Sequence, residues 1–234
     1  MAEKVAIVLP VRNSEGILER SVAHLREFLD AEGMVACEIV IADSASTDAT
    51  PHIGRRLAED AGVRYMLVLK AGKGAAIRGA WLLLKEEFHI LCFMDVDMAT
   101  DLEALPHLIR AVTAGDDIVV GSRYLAASRI LRTPMREVVS RAYRLVFGIA
   151  FRIGVSDPQC GFKAISRRVA DDILPDVASD GYFFDTELLV RAAAAGYSVK
   201  EIPVIWTASP GSSVKLLRDT PEFLAGLVRL RLGM

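Results

Sequence analysis

Cysteine is scarce in this chain and does not pair off: Cys37, Cys92 and Cys160 are odd in number, far apart and partly inside apolar runs. That excludes a disulfide framework, fits reduced and mostly buried thiols, and implies a cytosolic compartment. An excess of either charge is also missing, since 28 Lys+Arg against 30 Asp+Glu leave a formal net charge of −2 over 234 residues. No overall field draws the molecule to nucleic acid or to an anionic membrane, so electrostatic partners must be read from local patches. Spanning a bilayer takes roughly 20 predominantly apolar residues. The best candidate, 145–151, is hemmed in by Arg144 and Arg152. The first residues run straight into a strand-like 5–9, without the basic leader, apolar core and cleavage site of a secretory signal. His24, His52, His89 and His107 lack metal-ligand spacing, and no Gly-x-Ser-x-Gly elbow offers an esterase-like nucleophile.

A hydrophobic content of 52% is ample for a buried core. Short apolar, β-branched runs at 5–9, 38–42, 63–69, 89–94 and 118–120 read as parallel strands buried on both faces. Between them, 14–31, 49–61, 74–87 and 101–114 carry helical spacing. This alternation predicts an α/β sandwich with right-handed crossovers, in which ligands gather beyond the carboxyl ends of the strands. From about 128 the pattern loosens into a long arginine-bearing helix, a polar turn and short strand over 156–166, a helix over 185–195, a strand over 199–206 and a terminal helix from about 221. Neither a repeat nor a low-complexity linker is present, so 1–234 reads as one domain with halves 1–124 and 125–234.

The residues just after each strand carry the chemistry. Pro10-Val11-Arg12-Asn13 follows the first strand and 43–50 the second. There Asp43 sits at the strand end itself, where an acid can accept from a base or ribose, whereas Ser46 or Asp48 can equally cap the next helix. Gly72-Lys73-Gly74 before a helix, with Arg78 one turn on, offers exposed N–H groups and two cations to a diphosphate, or is a glycine turn with solvated charges. It lacks the glycine spacing and terminal Lys-Ser/Thr pair of a P-loop. Asp95-Val96-Asp97 puts two carboxylates on one face where a very apolar strand ends. A hard divalent cation would relieve their repulsion and lost hydration, and helix capping accounts for only one of the two. Arg123, Arg129, Arg132, Arg136, Arg141, Arg144 and Arg152 alternate with aliphatic residues, and Glu137 is the only acid over 125–155. Such a basic amphipathic stretch is an anion-binding, interfacial feature. The terminal segment 223–234 is either a second interfacial helix or one packed on the core.

The order of these motifs, from Leu9-Pro10-Val11-Arg12-Asn13 through Gly121-Ser122-Arg123, resembles family 2 glycosyltransferases of the GT-A fold. Ser156-Asp157-Pro158-Gln159-Cys160-Gly161-Phe162-Lys163, then Gly181-Tyr182-Phe183-Phe184-Asp185-Thr186-Glu187-Leu188 and Glu201-Ile202-Pro203-Val204, resemble the polyprenyl-phosphate members, of the dolichyl-phosphate β-glucosyltransferase and mannose synthase types. The resemblance implies a mostly parallel, Rossmann-like sheet, a nucleotide-sugar half over 1–124 and an acceptor half over 125–234. Pro10, Arg12, Asn13 and Asp43 would line the nucleotide, with Lys73 at the diphosphate, and Asp95 and Asp97 would hold Mg²⁺ or Mn²⁺. Arg123, Arg136 and Ser140 would hold the acceptor phosphate, Gln159 would shape the acceptor and sugar pocket, and Asp185 and Glu187 would approach sugar hydroxyls. Arg12 stands where an aromatic is common, Ala42 where a second Asp often precedes Asp43, and Ala99 where the mannose synthases carry a metal-binding Gln.

The implied reaction is a single-step inverting transfer of a hexose from a UDP- or GDP-linked donor to a polyprenyl or dolichyl phosphate. It would take place at the cytoplasmic face of a membrane, with peripheral attachment and no nucleic acid. A phosphate nucleophile is already ionised, so it needs positioning more than a base. A sugar-hydroxyl acceptor would instead need Asp185 or Glu187 as general base. A catalytically silent nucleotide-sugar-binding subunit is the other alternative.

Overall fold

The computed structural model describes residues 3–131, 134–207 and 225–233, with 134–140 and 142 described in their backbone alone. One sheet of seven strands organises the chain: β1 (Val5–Val11), β2 (Cys37–Ser44), β3 (Arg64–Val68), β4 (Ile90–Met94), β5 (Ile118–Ser122), β7 (Phe162–Ser166) and β8 (Val199–Pro203). Their spatial order is β3-β2-β1-β4-β7-β5-β8. All neighbours run parallel except β7, which lies antiparallel between β4 and β5. Two further strands, β6 (Arg129–Leu131) and β9 (Ile205–Thr207), form a separate parallel pair.

Successive strand residues point to opposite faces, and both faces of the central strands are buried, whereas the edge strand β3, expected to be buried on both faces, has no buried residue and leaves Leu67 exposed. Ala6, Val8, Leu91, Phe93, Ile118 and Val120 pack under α3 (Lys73–Leu84), α6 (Arg167–Asp172), α7 (Phe184–Ala194) and a helical segment at 225–232. Ile7, Leu9, Ile39, Ile41, Ile90 and Cys92 face α1 (Leu18–Ala31), α2 (Thr50–Asp60) and α4 (Leu105–Thr113). Burial on both sides is why these strands read as continuous apolar runs instead of alternating ones. Trp81 of α3 is fully buried, its indole N–H donating to the Cys92 carbonyl at 3.3 Å between the rings of Phe93 and Phe184.

Three boundaries that differ from the sequence reading by more than a residue or two have a structural cause. The first helix starts at Leu18 because 14–17 is a turn bound to the loop after β2: Ser14 N–H donates to Thr50 Oγ1 (2.7 Å) and Glu15 N–H to Asp48 Oδ2 (3.2 Å). The strand expected over 199–206 is two strands in two sheets. Pro203 closes β8, and the Val204 carbonyl then accepts from Arg129 N–H at 3.1 Å, so the chain changes partner there. The arginine-bearing helix begins later than 128. It is α5 (Pro134–Phe151), with proline at its first position, where the missing N–H breaks no helical bond. The short strand within 156–166 is β7, whose direction the residue pattern leaves open. A start of the terminal helix at 221 lies outside the described residues.

Candidate functional site

β1, β2, β4, β5 and β8 are parallel and end on one edge of the sheet, and antiparallel β7 begins there, with Met94 opposite Phe162 and Ser122 opposite Pro203. The loops bearing Arg12, Asp43, Asp95, Asp97, Arg123 and Gln159 are thereby brought to a single edge, as the α/β rule requires.

At its centre Asp95 leaves β4 with its N–H donating to the Gly161 carbonyl at 3.0 Å. A Cβ at Gly161 would lie 1.8 Å from Asp95 Oδ2, so only glycine admits this carboxylate. Lys73 Nζ reaches Asp95 Oδ1 at 2.9 Å and Asp185 Oδ2 at 3.2 Å. Burial opposes its charge, but Asp185 and Asp95 outweigh burial and raise its pKa. Lys163, with no exposed surface, binds the other Asp185 oxygen and donates to the Cys160 carbonyl at 2.6 Å. Lys163, Asp185, Lys73 and Asp95 thus alternate in sign from the core outwards. Asp97 accepts from Ala99 N–H at 3.2 Å. Burial, and then the neighbouring Asp95 charge, push its carboxyl above the ordinary carboxylate range. Two hard oxygen donors, one of them destabilised as an anion, fit a divalent cation that draws its remaining ligands from a diphosphate. The described residues hold no cluster of three or more His, Cys, Asp or Glu for a metal.

The glycine turn plays a different part from the one expected. Gly74 N–H donates to the Gly181 carbonyl (3.2 Å) and Ala75 N–H to the Asp180 carbonyl (2.9 Å), so the chain itself caps the start of α3. Added Cβ atoms at Gly72 and Gly74 would come within 2.2 Å of the Asp180 carbonyl and 2.5 Å of the Ser179 carbonyl. Arg78 is likewise committed, to Asp180 and the Val177 carbonyl. The diphosphate cradle expected of these N–H groups is corrected to a packing contact, and Lys73 is the cation left at the site.

Asp43 lies beneath its loop, with no exposed surface, accepting from Ser46 N–H (3.0 Å) and the Tyr65 hydroxyl (2.7 Å). Asn13, at φ 52°, laces the two loops: its N–H donates to Ser46 Oγ (2.9 Å) and its Oδ1 accepts from Thr47 N–H (2.8 Å). Asp43 is buried behind the wall and Asn13 exposed on it, and Ser46 joins this lacing and does not cap α2. Pro10 is half-buried and Arg12 exposed at the wall's rim.

Asp185 and Glu187 are both buried and committed. Glu187 accepts from Ala178 N–H (3.2 Å), Ser179 N–H (2.8 Å) and Arg191 Nε (2.8 Å), fixing the loop that carries Ala178 and Ser179. Each of these acids is turned to protein partners. Burial raises the Glu187 pKa, but the Ser179 and Arg191 contacts and the backbone N–H groups hold it below the ordinary 4.5. Its contribution to stability is therefore present above pH 4.5 and lost as pH falls through the lowered folded value. Glu187→Gln is expected to flatten the acid limb of a stability–pH curve. Wild type and variant losing stability equally steeply in acid would refute this.

At the end of β5, Arg123 is gripped side-on by Asp157, Nε to Oδ2 at 2.7 Å and Nη2 to Oδ1 at 2.8 Å, and lies over the Trp206 ring at 5.5 Å. Arg144 stacks on Tyr124 at 3.6 Å and donates to the Ser156 carbonyl at 2.7 Å. Gln159 brings a buried amide beside the Tyr143 hydroxyl, which in turn meets Thr186 Oγ1 at 2.8 Å. The side chains of Arg136 and Ser140 lie outside the described residues. Thr207 N–H donates to the Ala99 carbonyl (2.8 Å) and Asp101 N–H to the Ile205 carbonyl (3.0 Å), so β9 ties the Asp97 loop to β6, just ahead of α5. Asp157 and Glu201 stand in the sequence within motifs of the family resemblance, without a role of their own. The usable signal was that Asp157 is the first acid after a run of arginines.

The chain is 36% identical over 223 residues to glycosyltransferase AglD of Haloferax volcanii, covering 92% of this chain and 35% of that protein. It therefore spans about a third of that relative's length. A dolichyl-phosphate beta-glucosyltransferase of Trichomonas vaginalis is 29% identical over 223 residues, covering 91% of this chain and 68% of that one. Among solved structures, glucosyl-3-phosphoglycerate synthase of Mycobacterium tuberculosis with Mn²⁺, UDP and glucosyl-3-phosphoglycerate superposes with a TM-score of 0.75 at 20% identity, over 100% of this chain and 81% of that one. The mostly parallel sheet and this superposition make the fold GT-A. Residues 6–174 match the description Glycosyl transferase family 2, and with the paired acids at the end of β4 in place, the chain belongs to that family.

Proposed function

We propose that this chain moves a hexose, with inversion, from UDP-glucose or GDP-mannose to the phosphate of a polyprenyl or dolichyl lipid, as a peripheral protein at the cytoplasmic face of a membrane. It does so as one domain, 1–124 holding the donor and 125–234 the acceptor. The observation that carries the choice of acceptor is the state of Asp185 and Glu187. A hydroxyl acceptor needs a base, and both candidates are bound to cations or N–H groups inside the protein. An ionised phosphate needs none, only orientation. The named activity of the Trichomonas relative points the same way.

An open cleft of about 340 Å³ lined by Arg141, Arg144, Leu145, Val155 and Ser156 adds anion-binding capacity beside this site. Next to it, Leu145 and Ile149 are 66% and 67% exposed one turn apart on α5, an arrangement suited to phosphate headgroups and the acyl boundary. No helix among the described residues is long and apolar enough to cross a membrane.

Asp97, with Asp95, would hold Mg²⁺ or Mn²⁺, which when bound supplies Lewis-acid stabilisation of the departing diphosphate. Mn²⁺ and UDP in the crystals of the structural neighbour support this. Lys73 adds a fixed cation on the donor side. Arg123, with Arg136 and Ser140, orients the attacking phosphate, and Gln159 shapes the acceptor and sugar pocket.

Incubation with Mn²⁺ or Mg²⁺, a panel of UDP- and GDP-sugars and a short polyprenyl phosphate is expected to give a chloroform-extractable sugar product. Transfer to water-soluble sugars alone would overturn the acceptor assignment.

A further inference from the structure

We infer that Asp157 and Glu201 are positioning residues for Arg123, fixing its guanidinium for the acceptor without touching the acceptor themselves; the inference rests on the reading of Arg123 as a phosphate-holding group. Asp157, 2% exposed, accepts three times from one residue: from the Arg123 backbone N–H at 3.0 Å and from Nε and Nη2. Glu201 in turn fixes the turn that carries Asp157. Its Oε2 accepts from Ser156 N–H, and its Oε1 from Ser156 Oγ and Asp157 N–H, all at 2.9 Å. Glu201 stands on β8 opposite Val120 of β5, three residues before Arg123. The contacts therefore close a ring from β5 through Arg123, Asp157 and Glu201 back to β5, anchored at both ends in the same sheet. The Ser122 and Ser156 hydroxyls, 2.8 Å apart, cross-brace it.

The geometry favours aim over attraction. A guanidinium has five N–H donors. Asp157 takes two side-on, and the other three meet no acceptor among the described residues, while the side chain keeps 15% exposure. Stacking on Trp206 holds the plane. A site built for affinity alone would leave the cation unpaired, because Asp157 cancels much of its charge. What the pair provides is a planar fork held in one orientation, so little freedom is lost when an anion is bound.

Asp157→Asn is accordingly expected to lower kcat about 10–100-fold, the scale of a misaligned reactant, with the acceptor KM unchanged or lower. Glu201→Gln, which keeps one amide oxygen, shifts both constants in the same direction by less. Arg123→Ala lowers kcat and raises the acceptor KM. Because Asp157 acts through Arg123, Asp157→Asn is expected to add no further loss of kcat in the Arg123→Ala background. Losses that multiply in the double variant would mean separate roles and overturn the inference. Should Asp157→Asn fail to fold, Glu201→Gln carries the same cycle. A wild type that makes no lipid-linked sugar overturns the proposed function, and the cycle is then read by calorimetry with farnesyl phosphate. Asp157→Asn binding as tightly as the wild type or more tightly, with Arg123→Ala binding more weakly, upholds the positioning role, a loss of affinity in Asp157→Asn as large as that in Arg123→Ala overturns it, and no binding by the wild type overturns both.

Discussion

Asp185→Ala is expected to lower the free energy of unfolding by about 3–5 kcal/mol, a large share of the roughly 5–15 kcal/mol that holds a domain together. Asp185 is the only carboxylate partner of Lys163 among the described residues, and Lys163 has no exposed surface through which water could take its place. The variant leaves that cation facing only the Cys160 carbonyl and the Phe93 ring, 5.4 Å from its centroid. It also leaves Lys73 with Asp95 alone. Chemical denaturation checks the size of the loss. Removing both charges as Asp185→Leu with Lys163→Met is expected to recover part of it, because an apolar pair carries no desolvation penalty. A single-variant loss under about 1 kcal/mol, or a double variant worse than the single, would refute the role given to this pair.

That pair also shows where sequence reading stops. Strands and helices of the first half were legible because burial on both faces leaves unbroken apolar runs, and the edge that carries the chemistry follows from parallel topology alone. Asp95 and Asp97 were legible for the same reason, as paired acids at the end of such a run. Directions of ionic contact were not. Asp185 and Glu187, two residues apart on α7, have different partners, the first two lysines and the second a loop and Arg191, and nothing in their spacing separates those fates. Gly72 and Gly74 looked like a phosphate turn because glycine marks close approach, but the approaching group is the chain's own 179–181 backbone, 107 residues along at the Gly74–Gly181 bond. The insertion of β7 between β4 and β5 likewise depends on long-range pairing, which local periodicity does not encode.

Asp97→Asn is expected to reduce sugar transfer at least about 10²–10³-fold while leaving stability at neutral pH equal to the wild type or higher. The first half of this expectation follows from charge: removing a preorganised group that stabilises developing negative charge has that order of effect, and Asp97 is one of only two oxygen donors proposed for the dication. The second half follows from linkage. The folded-state pKa of Asp97 lies above its ordinary 3.8, because burial and Asp95 both penalise its anion. Its contribution to stability is therefore present below pH 3.8 and lost as pH rises through the raised folded value, so the metal-free fold is strained by this anion at pH 7. Asparagine keeps the oxygen that accepts from Ala99 N–H and carries no charge. Asp95→Asn separates the two acids. It deprives Lys73 of a partner at 2.9 Å as well as the dication of a ligand, so activity and stability are expected to fall together. Thermal melts at pH 7 without metal and Mn²⁺ titrations of transfer check both substitutions. An Asp97→Asn protein within tenfold of wild-type transfer, or one that melts well below it, would show that this acid serves the fold and not the reaction.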